Sequence, residues 1–314
     1  MNNNFIHKFI INILGKEVKN TINIIGVILS IIIISSILEN ISNSLDNKSN
    51  VSQITFYIIY LILVTIVVKN FAQIINIVKS SINNLIGFSN SLIPLLITLM
   101  ITTGNITSAG MLEPIILFMI TFIGNFINNF LIPISLISLS LNIISNISDK
   151  VKIDKLSKYI NSSIVWILGI ILTLFIGITS LEGSITNGVD ALTVKTTKAA
   201  VSNFIPIVGK ILGDAVDTVM SCSNILKNAV GMVGVVVIIS ICIIPIIKLV
   251  IIMVSYYLLE AICQTIADEK IVKLLGKIGD TFKFLLAIMS SISIMLIIGV
   301  TLVIKISNSG IMMY

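Results

Sequence analysis

The stretch 183–247 is the part of the chain whose residue types could support chemistry. Within it, Lys210 and Asp214 are four residues apart and Asp214 and Asp217 are three apart, so a helix would place all three on one face. Charged side chains between two strongly apolar segments usually face protein or a water-filled cavity, because contact with lipid is costly. The pattern therefore predicts a polar path or a charged docking face.

The candidate polar residues extend to both sides of this trio. They are Lys195, Lys198, Asn203, Lys210, Asp214, Asp217, Lys227 and Asn228. In one interpretation these side chains line a polar path through the protein or form a docking face on it. In the other they belong to a solvated loop followed by an amphipathic surface helix. The residue types alone leave both interpretations open.

Prolines and glycines mark where apolar helices are expected to break or to approach one another. Proline cannot donate a backbone hydrogen bond, and glycine allows two helices to pack closely. Short, interrupted apolar segments are typical of broken helices around a transport site, although Ile-Pro pairs also recur by chance in an Ile-rich chain. The predicted positions are Pro94, Pro133, Pro206, Gly209, Gly213, Gly231, Gly234 and Pro245.

Catalytic and metal-binding patterns are missing from the sequence. The chain has a single histidine, His7, which excludes HExxH metalloproteases and Ser-His triads. Cys222, Cys242 and Cys263 form no CxxC pair, and free cysteines in apolar segments usually act as small hydrophobes. We therefore predict that the protein is not an enzyme and uses no cofactor or metal.

The composition is that of a membrane protein. Hydrophobic residues make up 56% of the chain and charged residues 11%, and the mean hydropathy is +1.11. In soluble domains about a quarter of the residues are charged. Every basic side chain except His7 is a lysine, and the lysines are scattered rather than clustered. This distribution argues against a nucleic-acid partner and makes the lipid bilayer the expected partner.

The hydropathy pattern predicts an all-α polytopic membrane bundle of about seven to eight spans. Residues 1–20 form an amphipathic interfacial helix, and 21–314 form a single integral membrane domain. Within that domain 183–228 is a polar central stretch for which a re-entrant path is one option. Several spans are expected to be short or broken by Pro and Gly.

Two segments raise specific questions about the path of the chain. The amphipathic stretch 70–90 is either a second interfacial helix or a helix packed within the bundle. The apolar stretch 229–266 is too long for one span, so we expect it to fold back at Pro245–Lys248. Three spans would then separate the lysine-rich segments 147–158 and 267–283. The positive-inside rule would place both segments on the cytoplasmic side. Because three spans is an odd number, either one of the two segments lies outside or 190–228 itself crosses as a broken polar segment.

Three segments resemble one known family. They are TVKTTKAAVSNFIPIVGKILGDAVDTV, SCSNILKNAVGMVGVVVII and IPIIKLVIIMVSYYLLEAI. They are similar to stage III sporulation protein AE, a polytopic membrane protein of endospore-forming bacteria. The similarity runs from about residue 20 to the end and is tightest over 190–250.

The resemblance implies a location and a role. The family acts in the mother-cell membrane surrounding the engulfed forespore. There it is taken to help form a transenvelope channel with other stage III sporulation A proteins and, across the intermembrane space, stage II sporulation protein Q. The implied function is a channel or export-gate subunit needed for late forespore development. The alternatives are a non-conducting scaffold for that complex and a stand-alone small-solute permease.

Overall fold

A computed structural model of the chain describes residues 3–44, 50–147, 153–204 and 209–309. These residues are helical apart from short turns, and the described part contains no strand. The helices are α1 Asn3–Ser44, α2 Asn50–Thr102, α3 Ile106–Phe126, a π-helix Ile127–Leu131, α4 Ile132–Ile147, α5 Asp154–Phe204, α6 Gly209–Cys263 and α7 Glu269–Ser309.

Six helical segments of the described chain are long and apolar enough to cross a membrane. They are Glu17–Leu38, Ile54–Thr102, Ile106–Ile147, Lys155–Leu181, Thr218–Cys263 and Glu269–Lys305. Helices suit this environment because every backbone N–H and C=O must be bonded internally where water is absent. The predicted all-α membrane fold is therefore confirmed. The number of candidate spans is six rather than about seven to eight.

The helices expose large apolar side chains as well as burying them. Phe118 is 65% exposed, Trp166 74% and Met232 64%. Such side chains are costly in water when they form continuous faces, and they are expected where helices meet lipid. The exposed faces of these helices are therefore suited to contact with a bilayer.

The stretch 70–90 is not a separate helix but the middle of α2. The face that the periodicity marks as apolar is buried: Phe71, Val78, Ile82 and Leu85 are each 0% exposed. The packed alternative therefore describes this segment, and the interfacial one does not. Similarly, α1 continues without interruption through residue 20, so 3–20 and 21–38 share one helix.

The fold-back expected at Pro245–Lys248 was wrong, since α6 runs unbroken from Gly209 to Cys263 with Pro245 inside it. Likewise, Pro94 lies inside α2. In an apolar setting a fold-back exposes several backbone groups, whereas a proline removes one hydrogen bond that neighbouring helices help to compensate. Two candidate spans rather than three thus separate the lysine-rich segments 147–158 and 267–283, so 190–228 need not cross to place both segments on one side.

A local widening of the helix precedes Pro133. The five-residue π-helix Ile127–Leu131 joins α3 to α4, so 106–147 is one helical run instead of two broken spans. A π turn shifts the hydrogen-bond register by one residue, which moves the preceding carbonyls away from the proline ring. The break predicted at Pro133 thus takes the form of a π turn before it.

The turn between α2 and α3 follows from Gly104. Its φ of 85° is the left-handed conformation that favours glycine. The Gly104 N–H donates to the Ile101 carbonyl at 2.9 Å and the Asn105 N–H donates to the Met100 carbonyl at 3.2 Å, as in a Schellman motif. Asn105 then precedes the first residue of α3, a position that asparagine favours.

The chain divides into two compact units. Unit 1 comprises Met1–Ser80, Ile127–Ile167 and Ile243–Met289, and unit 2 comprises Ser81–Phe126, Leu168–Cys242 and Ser290–Tyr314. Within unit 1, the ring of Phe282 packs against Phe71 and Tyr256 with centroid distances of 5.4 Å each. Within unit 2, aliphatic side chains of α2 and α7 pack against glycines of α6, as described below.

Candidate functional site

Much of the predicted polar stretch lies where the structure describes the backbone alone. Residues 182–204 continue α5, and 209–217 form the first turns of α6. The side chains of Lys195, Lys198, Asn203, Lys210, Asp214 and Asp217 lie outside the described residues, as does Pro206. Gly209 and Gly213 lie in the first two turns of α6. Among the candidate residues of the stretch 183–247, the structure therefore describes the side-chain surroundings from Lys227 onward.

Lys227 is completely buried. Its exposure is 0%, although it lies within the candidate span Thr218–Cys263. Its ammonium group makes at least one polar or electrostatic interaction within the protein. A fully buried lysine in such a span is energetically expensive and usually marks a functional position. The next residue, Asn228, is half-buried.

Lys227 begins a buried stripe along α6 within unit 2. The stripe consists of Lys227, Gly231, Gly234, Ile238 and Cys242, spaced by three or four residues and all buried. A Cβ at Gly231 would collide with the Ile304 side chain of α7, and one at Gly234 would collide with Leu92 of α2. The lysine therefore lies one helical turn from a point where α6 contacts both α2 and α7 closely.

The remaining predicted positions are distributed along other helices. Pro245 is buried within α6, whereas Pro94 and Pro133 are half-buried in α2 and α4. Pro94 belongs to unit 2 with Lys227, whereas Pro133 and Pro245 belong to unit 1.

A buried polar network in unit 1 was not predicted. Ser138 donates to the Asn161 side-chain oxygen at 2.6 Å, and Ser157 donates to the Asn142 side-chain oxygen at 2.6 Å. The hydroxyls of Ser138 and Ser157 are 3.2 Å apart. All four side chains are at most 9% exposed. The network joins α4 to α5, and its sequence signal is a Ser or Asn every four residues on both helices.

Further polar contacts within unit 1 hold other helices together. The Tyr60 hydroxyl of α2 donates to the Ile143 carbonyl of α4 at 2.8 Å. Lys248 of α6 and Glu17 of α1 form a salt bridge of 2.9 Å with little side-chain exposure. These contacts pair each buried polar group with a neighbour, which is the condition for keeping such groups inside a helical bundle.

The described residues contain no cluster of three or more His, Cys, Asp or Glu side chains that could hold a metal. Chemically, the arrangement offers one buried cation on α6 and a hydrogen-bonded network between α4 and α5. Both could interact with water or with a polar solute if the surrounding helices separated.

Comparison with known proteins places the whole helical region in one family. Residues 1–307 match the family described as stage III sporulation protein AE. The chain is 32% identical over 251 residues to stage III sporulation protein AE of Bacillus subtilis (strain 168), an alignment that covers 80% of this chain. The aligned region spans 63% of the length of that relative. No solved structure matches this chain.

Proposed function

Because the chain belongs to the stage III sporulation protein AE family, we propose that it is a channel or export-gate subunit of a sporulation complex. The complex would join the mother cell to the forespore and support late forespore development. Its proposed location is the mother-cell membrane that surrounds the engulfed forespore. The proposed partners are the other stage III sporulation A proteins and, across the intermembrane space, stage II sporulation protein Q.

The complete burial of Lys227 in a candidate span carries the channel proposal. Replacing a whole buried ion pair by hydrophobic residues is often neutral, whereas removing one partner alone is destabilising. A lysine inside a membrane span is costly, and such residues are usually retained for function. A role in conduction or gating explains the presence of the charge, because a cation beside a polar path affects which solutes enter that path.

The glycine contacts next to Lys227 support a movable gate rather than a rigid pore lining. Gly231 and Gly234 allow the Ile304 side chain of α7 and the Leu92 side chain of α2 to lie directly against the backbone of α6. Contacts of this kind permit one helix to shift along another, as small interface movements in switching proteins require. Movement of α6 would expose Lys227 to a water-filled space.

Thiol labelling in sporulating cells tests the proposal. Of the native cysteines, Cys222 is exposed whereas Cys242 and Cys263 are buried, so Cys222→Ser provides a background of low reactivity. Single changes Lys227→Cys and Gly231→Cys probe the buried stripe. Met232→Cys and Val233→Cys are matched controls, since these neighbours are 64% and 63% exposed on faces expected to contact lipid.

A channel subunit predicts that membrane-impermeant reagents label positions 227 and 231 from both sides of the membrane in the assembled complex. Positions 232 and 233 should remain unlabelled because they face lipid. Absence of labelling at 227 and 231 in the assembled complex would contradict the channel and favour a non-conducting scaffold. Solute transport by the purified chain without partners would instead favour a stand-alone permease.

A further inference from the structure

A lysine-rich cleft of about 380 Å³ lies within unit 1. Its charged lining consists of Lys158, Lys270, Lys273 and Lys277 with a single carboxylate, Glu269. Four positive groups and one negative group give a formal charge of +3. Ser145 and Asn146 complete the lining and offer polar groups beside the lysines. The cleft is therefore suited to an anion.

The cleft lies where three candidate spans end. Ser145 and Asn146 are at the end of the span Ile106–Ile147, Lys158 is near the start of Lys155–Leu181, and Glu269 begins Glu269–Lys305. The cleft therefore lies at one surface of the bilayer that these spans would cross. Basic pockets between helices at such a surface are typical binding sites for lipid headgroups.

The positions of the lysines are constrained by their neighbours. Lys270, Lys273 and Lys277 are spaced by three and four residues, so they share one face of α7. The Lys277 ammonium group is 3.4 Å from the Asn146 side-chain oxygen. The Lys270 ammonium group is 6.0 Å from the centre of the Phe56 ring. These contacts hold two of the cations near the cleft.

Exposed apolar and aromatic side chains on α5, the helix that supplies Lys158 to the cleft, indicate that the anion belongs to a lipid. On α5, Leu156 is 50% exposed, Tyr159 72% and Trp166 74%. Tyrosine and tryptophan are enriched at membrane surfaces, where an apolar ring contacts acyl chains and a polar atom contacts water. An acyl chain could lie along this face of α5 while its headgroup occupies the cleft.

From the cleft's charge, its position and its apolar border, we propose that it binds the phosphodiester of an anionic glycerophospholipid. The lysine ammonium groups would contact the phosphate oxygens as compact point charges. The inference rests on the six candidate spans crossing a bilayer and does not depend on whether the protein conducts. A soluble phosphate compound shares the same headgroup chemistry, and the experiment distinguishes the two sources.

Trp166 provides a built-in probe, because it is the chain's single tryptophan. It lies eight residues after Lys158, about 12 Å along α5. The full chain is reconstituted in phosphatidylcholine vesicles that contain either brominated phosphatidylglycerol or brominated phosphatidylcholine, and quenching of Trp166 fluorescence is measured. We expect the brominated anionic lipid to quench more strongly, and excess unbrominated phosphatidylglycerol to reverse that preference.

Substitution of the α7 lysines tests whether the cleft causes the preference. The variant Lys270→Gln/Lys273→Gln/Lys277→Gln should lose roughly fivefold in lipid preference for each lysine removed. The control Lys19→Gln/Lys69→Gln/Lys305→Gln changes three exposed lysines outside the cleft and should keep the preference. Far-UV circular dichroism verifies folding, and Lys273→Gln alone replaces the triple variant if that variant misfolds.

Three results would overturn the proposal. The first is equal quenching of the native chain by the two brominated lipids. The second is an equal loss of preference in the cleft variant and in its control. The third is loss of the native preference when glycerol 3-phosphate is added, which would assign the site to a soluble phosphate compound. Preference that survives glycerol 3-phosphate and disappears in the cleft variant would establish the lipid site.

Discussion

Two regions, α4 in unit 1 and the Lys227–Cys242 part of α6 in unit 2, are joined to their neighbours through different kinds of contact. In unit 1, α4 is attached to α5 by hydrogen bonds between Ser and Asn side chains and to α2 by the Tyr60 hydroxyl. In unit 2, α6 meets α2 and α7 at Gly231 and Gly234. Hydrogen bonds require a particular geometry, whereas burial of aliphatic side chains against glycine is not directional. We therefore expect α4 to keep a fixed position and the Lys227–Cys242 part of α6 to contain movable contacts.

Lys227 and Lys248, both on α6, illustrate the same difference. Lys248, in unit 1, forms a salt bridge with Glu17 at 2.9 Å. Lys227, in unit 2, is 0% exposed and lies one turn before a close glycine contact. The comparison predicts that Lys248 contributes to stability and that Lys227 contributes to activity.

The largest expected effect is therefore the loss of activity in Lys227→Met. Methionine fills a similar volume without a charge, and forespore gene expression should fall to the level of a strain lacking the protein in a variant that thermal unfolding shows to be folded. The control Lys248→Met should keep activity and lose about 1–3 kcal/mol of stability. Reporter expression and thermal unfolding in detergent measure these effects. Normal sporulation in Lys227→Met would contradict the role assigned to its charge.

The glycine contacts of unit 2 are tested by Gly234→Ala. The new methyl group would displace the Leu92 side chain, and we expect a loss of about 1–3 kcal/mol in unfolding free energy. Gly177→Ala is the control, since a Cβ there meets nothing within 4 Å, and it should stabilise by about 0.5–1 kcal/mol. In a Leu92→Ala background, Gly234→Ala should lower the unfolding free energy by less than it does in the native chain. If the two changes in unfolding free energy were additive, this contact would be contradicted.

The polar network of unit 1 is tested by a double-mutant cycle of Asn142→Ala and Ser157→Ala. Their hydrogen bond of 2.6 Å is buried, so a coupling energy of about 0.6–1.7 kcal/mol is expected. A cycle of Ser140→Ala and Ser163→Ala should show no coupling, because each hydroxyl donates to a carbonyl of its own helix. If neither cycle showed a coupling energy, the hydrogen bonds of α4 would not distinguish it from the glycine-packed part of α6.

The smallest expected effect concerns the salt bridge between Lys273 and Glu269, which is 2.6 Å long and exposed on both sides. Exposed pairs of this type contribute little because water and salt screen them. Glu269→Gln should leave thermal unfolding unchanged at physiological salt. A measurable loss of stability would show that exposed charges, and not only buried hydrogen bonds, stabilise unit 1.

The sequence predicted the features that depend on neighbouring residues along the chain. Hydropathy identified a helical membrane protein, because an apolar segment must satisfy its own backbone groups wherever it lies. The helical period of 70–90 also identified the buried face, since Phe71, Val78 and Ile82 are all inaccessible. The family followed from the pattern around 190–250.

The candidate site could be predicted only in part. Lys227 was only one of several candidate polar residues, because a lysine between apolar segments has the same local pattern whether it is buried or solvated. The Ser and Asn residues of α4 and α5 gave no distinctive signal either. Their spacing also fits a polar helix surface, so their hydrogen bonds depend on which helix lies opposite.

Whether a proline breaks a helix was decided by the tertiary structure. Pro94 and Pro245 lie inside continuous helices, and Pro133 follows a π turn. The sequence by itself determined that the chain is helical and suited to a membrane, since composition and periodicity are local properties. The tertiary structure decided where helices continue, which polar groups meet and which lysine is buried, because these outcomes depend on residues far apart in the chain.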